Sequence, residues 1–200
     1  MEKKLKLAVF ASHGGTDLQS IIDATGQPDY PAEIAVMISN NKKAFAVERA
    51  QKAGIPTVIW QRKLYEDDDS YADFMIDTLN EYGVELICLA GYMKLLPAKI
   101  VRAYKIINIH PALLPKYGGQ GMYGLHVHEA VIAAGDSVTG VTVHQVNEIY
   151  DNGKILAQTR VEVMPSDTPE ILQKRVLEIE HIFYPQTIAK IARGEINLDG

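Results

Sequence analysis

The sequence predicts an α/β protein with a doubly wound, mostly parallel sheet, and three observations predict it. Short apolar runs recur at Leu7–Phe10, Ile34–Ile38, Thr57–Trp60, Leu86–Leu89 and Ile106–Ile109. Segments with the apolar period of a helix separate them, which is the alternation that builds parallel sheets. Later, Val138–Val146 and Ile155–Val163 alternate apolar with polar residues, as antiparallel strands do. The whole reads as a Rossmann-like single domain with antiparallel C-terminal strands.

The elements follow in order. The N-terminus, Met1-Glu2-Lys3-Lys4-Leu5-Lys6-Leu7-Ala8-Val9-Phe10, mixes charge into a short apolar run, so it predicts a first strand and not a secretory signal. Helices are expected over Thr16–Ala24, over Ala44–Ala53 closed by Gly54 with Pro56 beyond, and over Ser70–Tyr82 closed by Gly83. The acidic run Glu66–Asp69 before the last of these reads as a solvated N-terminal face, which the helix dipole favours. From Pro115 to Gly124 four glycines interrupt any apolar period and predict a long loop. A short helix at His126–Ala134 follows, and a closing helix runs from Pro169 to about Ala192, capped by Thr168 or Asp167.

Composition narrows the function classes. With 200 residues and 47% apolar content, the chain suits one domain spanning 1–200. A net charge of −5 leaves no electrostatic footprint for a nucleic-acid backbone. No run reaches the ~18 consecutive apolar residues of a membrane span. A single cysteine excludes an internal disulfide and points to the reducing cytoplasm; Cys88, inside Leu86–Ala90, reads as a buried small residue.

Open parallel sheets place their sites beyond the carboxyl ends of the strands. One candidate there is Ala11-Ser12-His13-Gly14-Gly15-Thr16-Asp17-Leu18-Gln19, a glycine turn entering a helix whose first N–H groups suit a phosphate or carboxylate. A tight turn with Thr16 as cap would have the same sequence. The G-x-G-x-x-G spacing is missing and the second strand ends Ile38-Ser39-Asn40 without an acid, which argues against a dinucleotide. The second candidate is Asn108 with His110, two apart on a strand and so on one face, at a proline that opens the glycine-rich loop. An amide that donates at any pH beside an imidazole suits acyl transfer through an oxyanion, although buried polar pairs often only satisfy each other. Of the other histidines, His126 and His128 face apart on a helix and cannot share a metal. His144 could face the cleft or solvent, and His181 reads as a helix-face or packing residue.

The run Asn108-Ile109-His110-Pro111-Ala112-Leu113-Leu114-Pro115-Lys116-Tyr117 resembles the signature of the folate-dependent formyltransferases. The similarity continues through Leu18-Gln19, Leu89–Leu96, Gly140–His144, the turn Asp151–Gln158 and Glu180-His181 with Tyr184-Pro185. It implies a formyltransferase domain with a phosphate-binding mononucleotide half at 1–105 and a catalytic half with the folate cleft at 106–200. The formyl donor is then 10-formyltetrahydrofolate and the acceptor glycinamide ribonucleotide, joined through an oxyanion tetrahedral intermediate, with no metal. By the same resemblance Asn108 and His110 hold the formyl oxygen, His110 donates a proton, and Asp151 keeps His110 protonated. Gly15, Thr16 and Asp17, with Leu18 and Gln19 behind them, take the phosphate, Glu180 the ribose, and Met93, Lys94, Leu95, Leu96 and Asn108 the folate. A homodimer is among the assemblies left open. Alternatives are a related transferase with another amine acceptor, a formyltetrahydrofolate hydrolase, and a folate- or nucleotide-binding regulatory module.

Three departures from the family pattern carry expectations of their own. Asp17 stands where the family usually has Asn, and its carboxylate is expected to turn away from the phosphate to the free N–H groups of its helix. The family arginine before the third helix gives way to the acids around Asp68, leaving Arg62 or Lys63 to contact the folate. The segment Gly118–Gly124 is long for the family and reads as a mobile lid.

Overall fold

Alternate residues of the first strand feed two separate cores. In β1 (Leu5–Phe10), Leu7 and Val9 join one apolar cluster while Ala8 and Phe10 join another. That double burial is what a continuous apolar run means in a parallel sheet. The computed structural model describes residues 3–199; Met1, Glu2 and Gly200, the ends of the expected 1–200 domain, lie outside the described residues.

The sheet also contains β2 (Ala32–Ser39), β3 (Thr57–Ile59), β4 (Leu86–Leu89), β5 (Ile106–His110), β6 (Val138–Gln145) and β7 (Ile155–Glu162), in the order β3-β2-β1-β4-β5-β6-β7. The first five are parallel, and β6 runs antiparallel to both β5 and β7. Helices α1 (Thr16–Thr25), α2 (Phe45–Lys52), α5 (Leu125–Ala133) and α6 (Pro169–Ala192) cover one face through Leu18, Ala46, Val131 and Tyr184. On the other face lie α3 (Asp68–Glu81), α4 (Ala98–Ala103) and Trp60, whose ring stacks on Tyr71 at 3.9 Å. Among the described residues no helix is long and apolar enough to cross a membrane.

Local chemistry moves some boundaries. Helix α3 starts earlier than Ser70 because Asp67 and Ser70 form a reciprocal capping box, the Asp67 side chain accepting from the Ser70 N–H at 2.7 Å. Helix α4, six residues behind Pro97, has too few turns to show an apolar period and was not expected. Thr168 caps α6 and Pro169 occupies its first turn. Helix α1 begins at Thr16 as expected; Gly15, in the left-handed region at φ 66°, takes the N-cap position that the tight-turn reading gave to Thr16, and a Cβ there would meet Ala46 Cβ at 2.6 Å.

Tyr184 ties α6 to the sheet. Its wholly buried hydroxyl donates toward the carbonyls of Leu89 (2.9 Å) and Ile107 (3.3 Å), on neighbouring β4 and β5. Tyr184→Phe keeps the packing but strips a donor from buried acceptors, and should cost about 1–2 kcal/mol. Urea denaturation of both proteins measures it; an unchanged midpoint would show that the hydroxyl does not hold the helix.

Candidate active site

A cleft of about 810 Å³ opens over the carboxyl ends of β1, β4 and β5. Asn108 and His110 share the parity of Ile106, whereas Ile107 and Ile109 point to the opposite core. Both polar side chains reach the cleft, as the spacing predicts. Opposite them the β6–β7 turn delivers Asp151, whose φ of 51° is left-handed, a conformation Asp tolerates better than most residues. Gly153 makes that turn feasible, since a Cβ would lie 1.8 Å from the Gln145 carbonyl oxygen.

The Asp151 side chain, 10% exposed, stands between two imidazoles, with Oδ2 3.6 Å from His110 Nδ1 and Oδ1 3.5 Å from His144 Nε2. The Gly119 N–H donates to Oδ2 at 3.0 Å. Burial alone would raise this carboxyl, but His144, the charge of His110 and the Gly119 N–H together hold it below its ordinary value. His110 Nε2 lies 2.8 Å from the Tyr117 carbonyl oxygen, so Nε2 carries a proton and Nδ1 is the nitrogen free to gain one. His144 donates from Nδ1 to the Gln145 carbonyl (2.8 Å), and its Nε2 accepts from Asn108 Nδ2 at 3.2 Å. One N–H of the Asn108 amide is thus anchored and the other is left for a ligand.

His110 corrects one expectation. Asp151 does favour its charged form, but burial weighs more and the histidine pKa falls below its ordinary value. The free site therefore holds His110 neutral near neutral pH and does not keep it protonated.

The loop after β5 serves this ring. Tyr117, itself left-handed at φ 58°, anchors its hydroxyl on Asp136 Oδ2 (2.7 Å), and Lys116 Nζ donates to the same carboxylate at 2.6 Å. Gly118 passes so close that a Cβ would meet Leu114 at 2.5 Å and Asp151 Cβ at 3.1 Å. Gln120 to Gly124 then line the cleft.

The glycine turn forms the far wall. Gly15, Thr16, Asp17 and Glu180 all line the cleft. Leu18 does not, being wholly buried in the core, and Gln19 instead accepts from Arg49 at 3.0 Å beside a separate hollow of about 330 Å³. Asp17 makes no bond to its helix's N–H groups, contrary to the capping expected of it. It sits in the second helical position, and its carboxyl projects toward α6, where Oδ1 is 3.9 Å from His181 Nε2. Burial pushes Asp17 up to about 6, and burial, then the charge of Asp17, hold Glu180 well above its ordinary value.

Met93 lines the same cleft, whereas Lys94, Leu95 and Leu96 line a second cavity of about 1090 Å³ with Trp60, Arg62, Lys63, Lys99 and Arg102. Arg62 is bonded to Asp68 and to the Tyr65 carbonyl. His126 is exposed and pairs with Glu129, while His128 is buried on the cleft wall, where burial lowers it to about 4. The two do face apart. Among the described residues no group of three His, Cys, Asp or Glu side chains is arranged to hold a metal ion. His144 is the functional candidate that sequence reasoning missed, since only the β5–β6 register, which pairs it with Asn108, decides the face it takes.

A free amide donor and a buried imidazole–carboxylate pair meet the needs of transfer to an amine, where an oxygen gains charge and a proton must be moved. Residues 5–188 match the formyl transferase family, and the chain belongs to that family of transferases. It is similar to the phosphoribosylglycinamide formyltransferase of Haemophilus influenzae, 42% identical over 195 residues that cover 96% of this chain and 90% of that one. The chloroplastic phosphoribosylglycinamide formyltransferase of Arabidopsis thaliana is 41% identical over 97% of this chain and 68% of its own length. The solved structure of the enzyme from Coxiella burnetii in complex with CHES superposes with a TM-score of 0.90 at 39% identity, covering 99% of this chain and 92% of that one.

Because Asp151 opposes the burial that lowers His110, Asp151→Asn should lower the His110 titration midpoint further. NMR titration of the ring in both proteins measures this, and an unchanged midpoint would remove the carboxylate from the control of that proton.

Proposed function

We propose that this enzyme transfers the formyl group of 10-formyltetrahydrofolate to the amine of glycinamide ribonucleotide, a step of purine synthesis, in the cytoplasm. The observation that carries the proposal is the convergence of Asn108, His110 and Asp151 in one cleft with the glycine turn at the head of α1. In this reading the N-terminal half, 1–105, supplies the phosphate turn at Gly15, Thr16 and Asp17. The half from 106 supplies the reacting groups, and Glu180 on α6 reaches back to the ribose.

The residues fit the donor. A flat ring with an acidic tail suits Met93 on the cleft and the neighbouring cavity that begins at Lys94, which offers the Trp60 and Leu96 walls and the cations Lys63 and Lys94. Arg62, engaged by Asp68, is the weaker candidate for the tail and Lys63 the stronger. The folate supplies the formyl group. As the amine adds, the formyl oxygen gains charge, and the free Asn108 N–H donates to it. The attacking amine loses one proton and the departing nitrogen gains one, so the site needs a group that carries a proton in transit. His110 Nδ1 is that group: neutral at the start, it accepts the proton, and Asp151 stabilises the imidazolium while it lasts.

Mixing the protein with 10-formyltetrahydrofolate and following loss of the formyl group, with and without glycinamide ribonucleotide, tests the reading. Loss only with the ribonucleotide is expected; equal loss without it would make the enzyme a hydrolase. Asn108→Ala should lower kcat by on the order of 10²–10³ in a protein that still melts cooperatively. Turnover close to wild type would remove the amide from the mechanism.

A further inference from the structure

Asp17 opposes the ligand proposed for its cleft, since a carboxylate beside a phosphate repels it. The carboxyl stands at the head of α1 yet bonds to none of the N–H groups there, and its Oδ1 is buried without a partner. His181 Nε2, which faces it at 3.9 Å, is also buried without a partner. Glu180, 7% exposed on the same wall, makes no hydrogen bond among the described residues. Arg49, the nearby cation, spends Nε on the Gly14 carbonyl and one terminal nitrogen on Gln19. Two carboxyls therefore line one wall of the cleft with no lysine or arginine bonded to either.

An ionised Asp17 would be desolvated, unpaired and set against a dianion. A neutral carboxyl avoids all three penalties and carries an O–H that a phosphate oxygen can accept, beside the free N–H groups of the turn. Building on the substrate reading above, we propose that Asp17 recognises the substrate's phosphate as a neutral carboxylic acid, donating its O–H to a phosphate oxygen. Binding of the phosphate dianion then takes up one proton from solvent, which rests on Asp17 and returns when the product leaves.

The groups around Asp17 leave it the natural seat for that proton. Facing it from α6 are His181, Glu180 and Tyr184; Arg49 lies on α2, His13 in the turn before α1, and Asp23 farther along α1. Burial lowers His181, and burial, then the charge of Asp17, hold Glu180 well above its ordinary value. Asp17, raised to about 6 before any ligand arrives, is the carboxyl that the incoming negative charge tips over. By linkage, affinity for the dianion falls about tenfold per pH unit between the free and bound values of Asp17.

Calorimetry with ribose 5-phosphate, in two buffers of different ionisation enthalpy at ~pH 7.5, counts the protons bound. Wild type should take up close to one proton more than Asp17→Asn. Its Kd should rise about tenfold over the next pH unit, while that of the variant stays within about twofold. Equal uptake in both proteins would place the proton on His181 or Glu180 and overturn the proposal. Infrared difference spectra of wild type alone provide a second measurement: a protonated-carboxyl band should appear on adding ribose 5-phosphate, and its absence overturns the proposal even if the variant fails to fold. Proton uptake without formylation of glycinamide ribonucleotide would keep the role of Asp17 and sink the proposed acceptor. Failure of both phosphate esters to bind would sink both.

Discussion

A carboxylate removed from water survives as an anion only where polar groups reach it, and at Asp151 those groups come from separate stretches of chain. The Gly119 N–H donates from the loop after β5, and the rings of His110, at the end of β5, and His144, on β6, flank the carboxylate. Asp151 itself is held by a turn that passes too close to Gln145 for any residue but glycine at 153. One buried negative charge thereby fixes three segments relative to each other. It opposes the burial that lowers His110, stands beside the His144 ring that anchors Asn108, and ties down the glycine-rich loop at Gly119. Were the side chain absent, the loop would lose the hydrogen bond at Gly119, and the two imidazoles would lose the one carboxylate paired with them among the described residues.

Helix α6 performs the same service for the opposite wall. Glu180 and Tyr184 are four residues apart and so lie on one helical face. Tyr184 grips the carbonyls of β4 and β5, and this sets how far Glu180 stands from the glycine turn. The closing helix belongs to the second half of the chain but completes a wall begun by the first. Both walls of the cleft are consequently held by one sheet at the point where its strand order reverses, between β1 and β4.

Much of this was legible in the sequence because it depends on local periodicity. Apolar runs marked the strands, glycines closed the helices, and spacing alone put Asn108 and His110 on one face. What was not legible depends on register and on burial. His144 needed the pairing of β5 with β6, which no local pattern supplies. Asp17 seemed a helix-capping residue, and only the position of α6 shows it buried against Glu180 and His181. The lowered pKa of His110 likewise depends on how deeply the ring is covered, a property of the assembled fold. Leu18 and Gln19, carried along with the turn by sequence proximity, separate once the helix directs one to the core and the other to a different hollow.

Cys88 has a practical consequence. It is the sole cysteine of the chain, lies wholly buried in the middle of β4, and its thiol is driven far from ionisation by burial. Thiolate is the form that maleimides and iodoacetamides attack, so the folded protein is a silent background for such reagents. A single cysteine introduced at an exposed point of the 118–124 loop would carry a fluorophore alone, without first removing the native residue, and would report the position of that loop over the cleft directly.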